Sequence, residues 1–297
     1  MTIQTWQQAL PHGITLSCRA TGERGRPVLL FLHGFPEAAF VWDELLEHFA
    51  RPENGGYRCV APNLRGYEQS SQPADVAAYR PKHLVQDIAA LAQLEGAPLA
   101  CLVAHDWGGA VAWNLANQQP QLLRRLAIIN SPHPGTFLRG LQSSAKQQEA
   151  SAYMNFLIRP DAEQLLREDG YRRLLRFFTH WGPADWLTED VKAQYRAIWD
   201  ASLTGGLNYY RASPLRPPRE GDSTASTVTI PREMLTIEVP TLVLWGMQDT
   251  ALLPELVEGL GEYIPQLTLH RIEDASHWVV HEQPELVKRR LGEFLAR

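Results

Sequence analysis

The stretch Pro98-Leu99-Ala100-Cys101-Leu102-Val103-Ala104-His105-Asp106-Trp107-Gly108-Gly109-Ala110 decides how this chain is read. Its first six residues are a short apolar run of the kind that a strand buried on both faces requires. From Ala110 to Ala116 the composition favours helix, and Pro120 ends it. Between them, the small residues Ala104, Gly108 and Gly109 let strand and helix approach closely while Asp106 projects over the sheet edge. The spacing Ala-x-Asp-x-Gly is that of a nucleophile elbow with aspartate in the place of serine. Taken alone, an aspartate before a helix also reads as an N-cap whose carboxylate accepts first-turn N–H groups. The rest of the chain weighs one against the other.

At 297 residues the chain has room for one large α/β domain or a core with an insertion. Its net charge of -5 and pI of about 6.1 carry no nucleic-acid footprint, and no Lys or Arg run stands out. Cys18, Cys59 and Cys101 are odd in number and widely spaced in apolar segments, which fits reduced core thiols and a cytoplasmic setting. Residues Met1 to Gln8 lack the basic and apolar regions of a leader, and no apolar stretch is long enough to span a bilayer. A soluble, unexported protein with no membrane contact is therefore expected. The segment Ser213 to Pro231, rich in Pro, Arg, Ser and Thr, reads as an exposed loop.

Strand-like runs occur at Gly13 to Arg19, Val28 to Leu32, Tyr57 to Val60, Leu99 to Val103, Leu126 to Asn130, Thr241 to Trp245 and Leu267 to Ile272. Several are followed by helical patterns, which predicts an α/β fold with a mostly parallel sheet covered by helices. The rhythm breaks from about Pro134 to Leu235 and resumes at Val239. The simplest account is a core made of residues 1–133 and 236–297, with residues 134–235 inserted as a helical lid over the carboxyl ends of the strands.

Asp249 lies in a turn after the run Thr241 to Trp245, and His277 follows the last strand-like run. Either alone reads as a turn former or a structural residue. Together, Asp106, Asp249 and His277 come in the chain order nucleophile, acid, histidine. After the run Val28 to Leu32, His33-Gly34-Phe35-Pro36 forms a turn whose backbone can face a site, so the N–H groups of Phe35 and Trp107 are candidates for an oxyanion hole.

On His33-Gly34-Phe35-Pro36, His105-Asp106-Trp107-Gly108-Gly109, Gly246 with Asp249, and His277-Trp278, the chain resembles the α/β-hydrolases of the epoxide hydrolase and haloalkane dehalogenase group over essentially its whole length. The resemblance implies Asp106 as nucleophile, His277 as base and Asp249 as the acid that orients it. It also implies two lid tyrosines that hydrogen-bond an epoxide oxygen, and the matching positions are Tyr153 and Tyr210, with neighbouring Tyr209 a competitor. Buried lid tyrosines also serve simply as packing.

The dehalogenase alternatives fit less well. Fluoroacetate dehalogenases carry arginines where this chain has Trp107 and Ala110, and many haloalkane dehalogenases carry Asn where it has Phe35. The Trp107 indole could still bind halide. A non-catalytic receptor on the same fold is a further alternative, against which stands the complete set of proton-handling residues. The expected reaction opens an epoxide to a vicinal diol through an ester on Asp106, with no metal and no cofactor, on a small apolar substrate. Pro36, Trp107, Met154, Leu157 and Trp278 are expected to contact it, with Phe35, Phe156, Phe177, Phe178 and Trp181 as further wall candidates. The sequence sets no oligomeric state.

Overall fold

The computed structural model describes residues 2–180, 184–222 and 224–297. Its strands are β1 (Gln4–Ala9), β2 (Thr15–Thr21), β3 (Val28–Leu32), β4 (Arg58–Pro62), β5 (Cys101–His105), β6 (Leu126–Ile129), β7 (Thr241–Gly246) and β8 (Leu267–Ile272). They form one sheet of eight strands in the order β1-β2-β4-β3-β5-β6-β7-β8. From β4 to β8 all neighbours are parallel, while β2 is antiparallel to both β1 and β4. Every residue of β3, β4, β5, β6 and β7 is buried, as a sheet covered on both faces demands.

The helices are α1 (Asp43–Ala50), α2 (Pro81–Glu95), α3 (Asp106–Gln118), α4 (Pro134–Ser143), α5 (Ala145–Ala150), α6 (Tyr153–Leu157), α7 (Ala162–His180), α8 (Glu189–Ala212), α9 (Thr224–Thr227), α10 (Val279–Glu282) and α11 (Pro284–Leu295). Helices α4 to α9 all fall between β6 and β7, where the described residues add no strand to the sheet. The result is an α/β fold with a mostly parallel sheet, whose alternation of strand and helix is interrupted by the run of helices between β6 and β7.

Chain order reverses on either side of β3, since β4 lies on one flank and β5 on the other. In open α/β sheets, ligands bind in the crevice at such a switch point, outside the carboxyl ends of the strands. The register pairs Leu32 with Ala104, His105 with Ile129 and Ile129 with Leu244, so the ends of β3, β5, β6 and β7 are level. The segments that leave those ends carry Phe35, Asp106, Asn130 and Asp249.

Helix α8 fastens the insertion to this rim. The Trp199 indole donates to the Pro36 carbonyl at 2.7 Å, the Tyr195 hydroxyl to Glu37 at 2.9 Å, and the Tyr209 hydroxyl to the Arg65 carbonyl at 2.9 Å. The helix bends at Ser202, whose φ is -152°, and there the Ser202 hydroxyl accepts from the Glu68 N–H at 2.7 Å.

The sharp entry into α3 depends on Gly108. A Cβ there would lie 2.5 Å from the Leu32 carbonyl oxygen and 2.6 Å from that of His33, backbone atoms that cannot turn aside. Gly108→Ala is expected to cost about 1–3 kcal/mol, the usual range for overpacking. Equilibrium urea unfolding checks this, with a lowered midpoint at an unchanged m-value.

Candidate active site

Asp106 is the first residue of α3 and sits at φ +49°, in the left-handed region that non-glycine residues seldom enter. The N-cap is His105, whose side chain makes no capping hydrogen bond, so the aspartate is not the N-cap of this helix. Instead Oδ1 accepts the Phe35 N–H at 2.8 Å. Gly34 makes that approach possible, because a Cβ on it would come within 2.3 Å of Asp106 Oδ1. The other oxygen, Oδ2, faces His277 Nε2 at 3.8 Å, too far for a hydrogen bond.

The opposite edge of the His277 ring is fixed. Nδ1 donates to Asp249 Oδ2 at 2.7 Å, which settles the tautomer and leaves Nε2 toward Asp106. Asp249 is buried and fully partnered. Its Oδ1 accepts the N–H groups of Ala251 at 2.9 Å and Leu252 at 2.8 Å, and Oδ2 also accepts Asn130 Nδ2 at 2.9 Å. Asn130 Oδ1 in turn accepts the Gly246 N–H at 2.9 Å, tying the ends of β6 and β7 together. Burial pulls His277 down, but the charge of Asp249, the hydrogen bond to it, and the charges of Asp106 and Glu37 prevail and raise the imidazole to about 9.

His33 is a buried neutral imidazole. Its Nε2 accepts the Leu64 N–H at 3.1 Å, so Nδ1 carries the proton and donates to the Gly34 carbonyl at 2.9 Å. Burial lowers its pKa to about 4. His105 also serves the rim, with Nε2 at 2.9 Å from the His277 carbonyl and Nδ1 at 3.3 Å from Glu37 Oε2. His133 ties α4 to the Leu235 carbonyl at 2.8 Å.

A cavity of about 260 Å³ opens over Asp106. Trp107, Tyr153, Met154 and Tyr210 line it, together with Ala110, Asn114, Phe137, Leu215, Val228, Ile230 and Met234. The rings of Tyr153 and Tyr210 lie 6.2 Å apart, and Tyr210 meets Trp107 edge-on at 5.0 Å. Burial, and then the negative charge nearby, raise both phenols and keep them protonated. Tyr209 turns the other way, its hydroxyl spent on Arg65.

Several expected wall residues are elsewhere. Pro36, Leu157 and Trp278 are buried and do not line this cavity. Pro36 offers its carbonyl to Trp199, while Trp278 donates its indole N–H to the Phe177 carbonyl at 3.2 Å and packs on Phe178. Phe35 packs edge-on against Tyr210 and Phe178 is buried between Tyr195 and Trp278, whereas Trp181 falls outside the described residues. The segment Ser213 to Pro231 is not merely an exposed loop. It contains α9 and places Ser213, Pro214, Leu215, Val228 and Ile230 on the cavity wall. The apolar Leu215, Val228 and Ile230 within so polar a stretch are the signal that could have marked it.

Residues 27–284 match the family model described as alpha/beta hydrolase fold. The AB hydrolase superfamily protein YfhM of Bacillus subtilis is 34% identical over 288 residues, which make up 96% of this chain and 95% of that protein. Epoxide hydrolase 4 of Mus musculus is 32% identical over 292 residues, covering 95% of this chain and 77% of its own. One of the solved epoxide hydrolases from metagenomes of hot environments superposes with a TM-score of 0.88 at 38% identity, covering 99% of both chains. The chain belongs to the α/β-hydrolase fold family and, within it, to the epoxide hydrolase group. It is an enzyme of the hydrolase class. No helix among the described residues is long and apolar enough to cross a membrane.

Because the His277 imidazole is raised from 6.5 to about 9, its charge contributes stability that is present in full below about pH 6.5 and lost as the pH rises through about 9. The urea midpoint of the wild type is expected to fall over that interval relative to His277→Gln. In Asp249→Asn the two largest raising influences disappear, and the imidazole should titrate at or below its ordinary value, as read by NMR of the ring carbons.

Proposed function

We propose that this enzyme hydrolyses epoxides with small apolar substituents to vicinal diols through an ester on Asp106, with residues 134–235 as its lid. The observation that carries the reading is the division of the Asp106 carboxylate: Oδ1 is held by the Phe35 N–H, and Oδ2 is left toward His277 and the tyrosine-lined cavity. Asp106 Oδ2 attacks an oxirane carbon, the ring C–O bond breaks, and a phenol of Tyr153 or Tyr210 gives its proton to the alkoxide. His277 Nε2 then takes a proton from water, whose oxygen adds to the Asp106 carboxyl carbon. The negative charge gathers on Oδ1, where the N–H groups of Phe35 and Trp107 receive it. Collapse expels the diol with Oδ2, and the proton held by His277 restores the tyrosine.

Support for an epoxide over a halide comes from Tyr153 and Tyr210, two phenols that line the cavity over Asp106 and can donate to a substrate oxygen.

The test is intact mass after incubation with styrene oxide. His277→Gln should gain the mass of one whole epoxide on Asp106, and Asp106→Asn should gain nothing. A halide-free alkyl adduct from a haloalkane, with no epoxide adduct, would overturn the reading. Tyr153→Phe and Tyr210→Phe should each slow ester formation about 10²-fold, the lower end for general acid catalysis, and leave ester hydrolysis nearly untouched. Single-turnover rapid quench separates the two steps.

A further inference from the structure

Two peptide groups border the Asp106 carboxylate, the one that ends in the Phe35 N–H and the one that joins Asp106 to Trp107, and they share a feature that the triad does not explain. In a trans peptide the C=O and the N–H point in opposite directions, so fixing one end aims the other. The 34–35 peptide presents its Phe35 N–H to Asp106 Oδ1, and its carbonyl is held from behind by His33 Nδ1 at 2.9 Å and by the Glu37 N–H at 3.0 Å. The 106–107 peptide is held in the same way. Its carbonyl, on Asp106, accepts the Ser131 hydroxyl at 2.6 Å.

Ser131 is buried and pinned. Its own carbonyl accepts the Trp113 indole N–H from α3 at 3.2 Å, and it follows Asn130, which holds Asp249. The helix leaves space for nothing larger than glycine opposite it, since a Cβ on Gly109 would stand 2.3 Å from Ser131 Oγ. First-turn N–H groups of a helix point out of its N-terminal end and have no partner within the helix, and for α3 that end carries the carboxylate.

We propose that Ser131 is a positioning residue for the oxyanion hole: its hydroxyl grips the Asp106 carbonyl and so aims and polarises the Trp107 N–H of the same peptide. A hydrogen bond to the carbonyl of an amide strengthens the amide as a donor. The inference rests on the reading of an ester on Asp106 and deepens it.

The two half-reactions respond in opposite ways. During alkylation the carboxylate loses charge, so a weaker hole does not slow the step and can even speed it. During hydrolysis the charge returns to Oδ1, and the hole stabilises that transition state alone. Removing an oxyanion donor outright costs about 10²–10³ in rate, and loosening one through its peptide should cost about ten-fold.

The experiment is single-turnover rapid quench with styrene oxide on wild type, Ser131→Ala, Ser131→Cys and His277→Gln, with the ester followed by intact mass. Ser131→Ala should hydrolyse the ester about ten-fold slower while forming it at no less than the wild-type rate, so that adduct accumulates at steady state. Ser131→Cys, nearly the same shape with a weak donor, should fall between and covers the case in which the alanine variant does not fold. Equal slowing of both steps would mean that Ser131 merely places Asp106, and the proposal falls. Hydrolysis at the wild-type rate overturns it as well. If His277→Gln forms no ester at all, the covalent reading fails first and takes this inference with it.

Discussion

Holding Asp106 in the left-handed region at the mouth of α3 is the constraint on which the rest of the site depends. Such a conformation costs about 1–3 kcal/mol and persists only where the surroundings over-determine it. Here they do so from every side. The residue before it closes β5 in register with β6, its carbonyl is taken by Ser131, its carboxylate receives the Phe35 N–H, and Gly108 packs against the backbone at the end of β3. The N-terminal end of a helix is also where negative charge is favoured, so the strained position is an electrostatically good one for a carboxylate.

The loop after β3 must be as firm as the elbow, because it supplies the hydrogen bond on Oδ1. Its firmness comes from a buried carboxylate, Glu37, which accepts from the Tyr195 hydroxyl on α8 at 2.9 Å and lies 2.6 Å from His281 Nε2. Burial would lift the Glu37 carboxyl, but His281 and His105 beside it hold it well below the usual range. The Trp186 ring stacks on His281 at 3.9 Å, adding a second contact from the insertion. Removing one partner of such a group leaves a buried charge without compensation, so the helical insertion and the loop that holds the Asp106 carboxylate are coupled.

Most of this was legible in the sequence because the buried parallel strands announce themselves as unbroken apolar runs, and β3 and β8 were placed to the residue. Strand β1 was not, since Gln4–Ala9 is a mostly exposed edge strand hairpinned to β2 and has only Trp6 as a large apolar residue. Asp106, Asp249 and His277 were readable because each follows a recognisable strand. The walls were harder. Whether Tyr209 or Tyr210 faces the cavity depends on the phase of α8 beyond its bend at Ser202, which no local pattern encodes. Pro36, Leu157 and Trp278 are close in sequence to site residues, but proximity along the chain says nothing about which face a side chain takes. Ser131 gave no signal at all, as its role is a single hydrogen bond across two elements.

The electrostatics also give the proposed reaction an order. Both carboxylates flanking His277 raise it, so before substrate arrives the ring favours the imidazolium form, which cannot accept a proton from water. Esterification makes Asp106 neutral and removes one of the charges that raise the imidazole, while burial and Asp249 remain. The ring then gives up its proton more readily, at the stage where a base is needed. Return of the free carboxylate raises it again. In this arrangement the nucleophile's charge sets the basicity of its partner, and the Oδ2 to Nε2 gap of 3.8 Å is close enough for that influence without a hydrogen bond that would blunt the attacking oxygen.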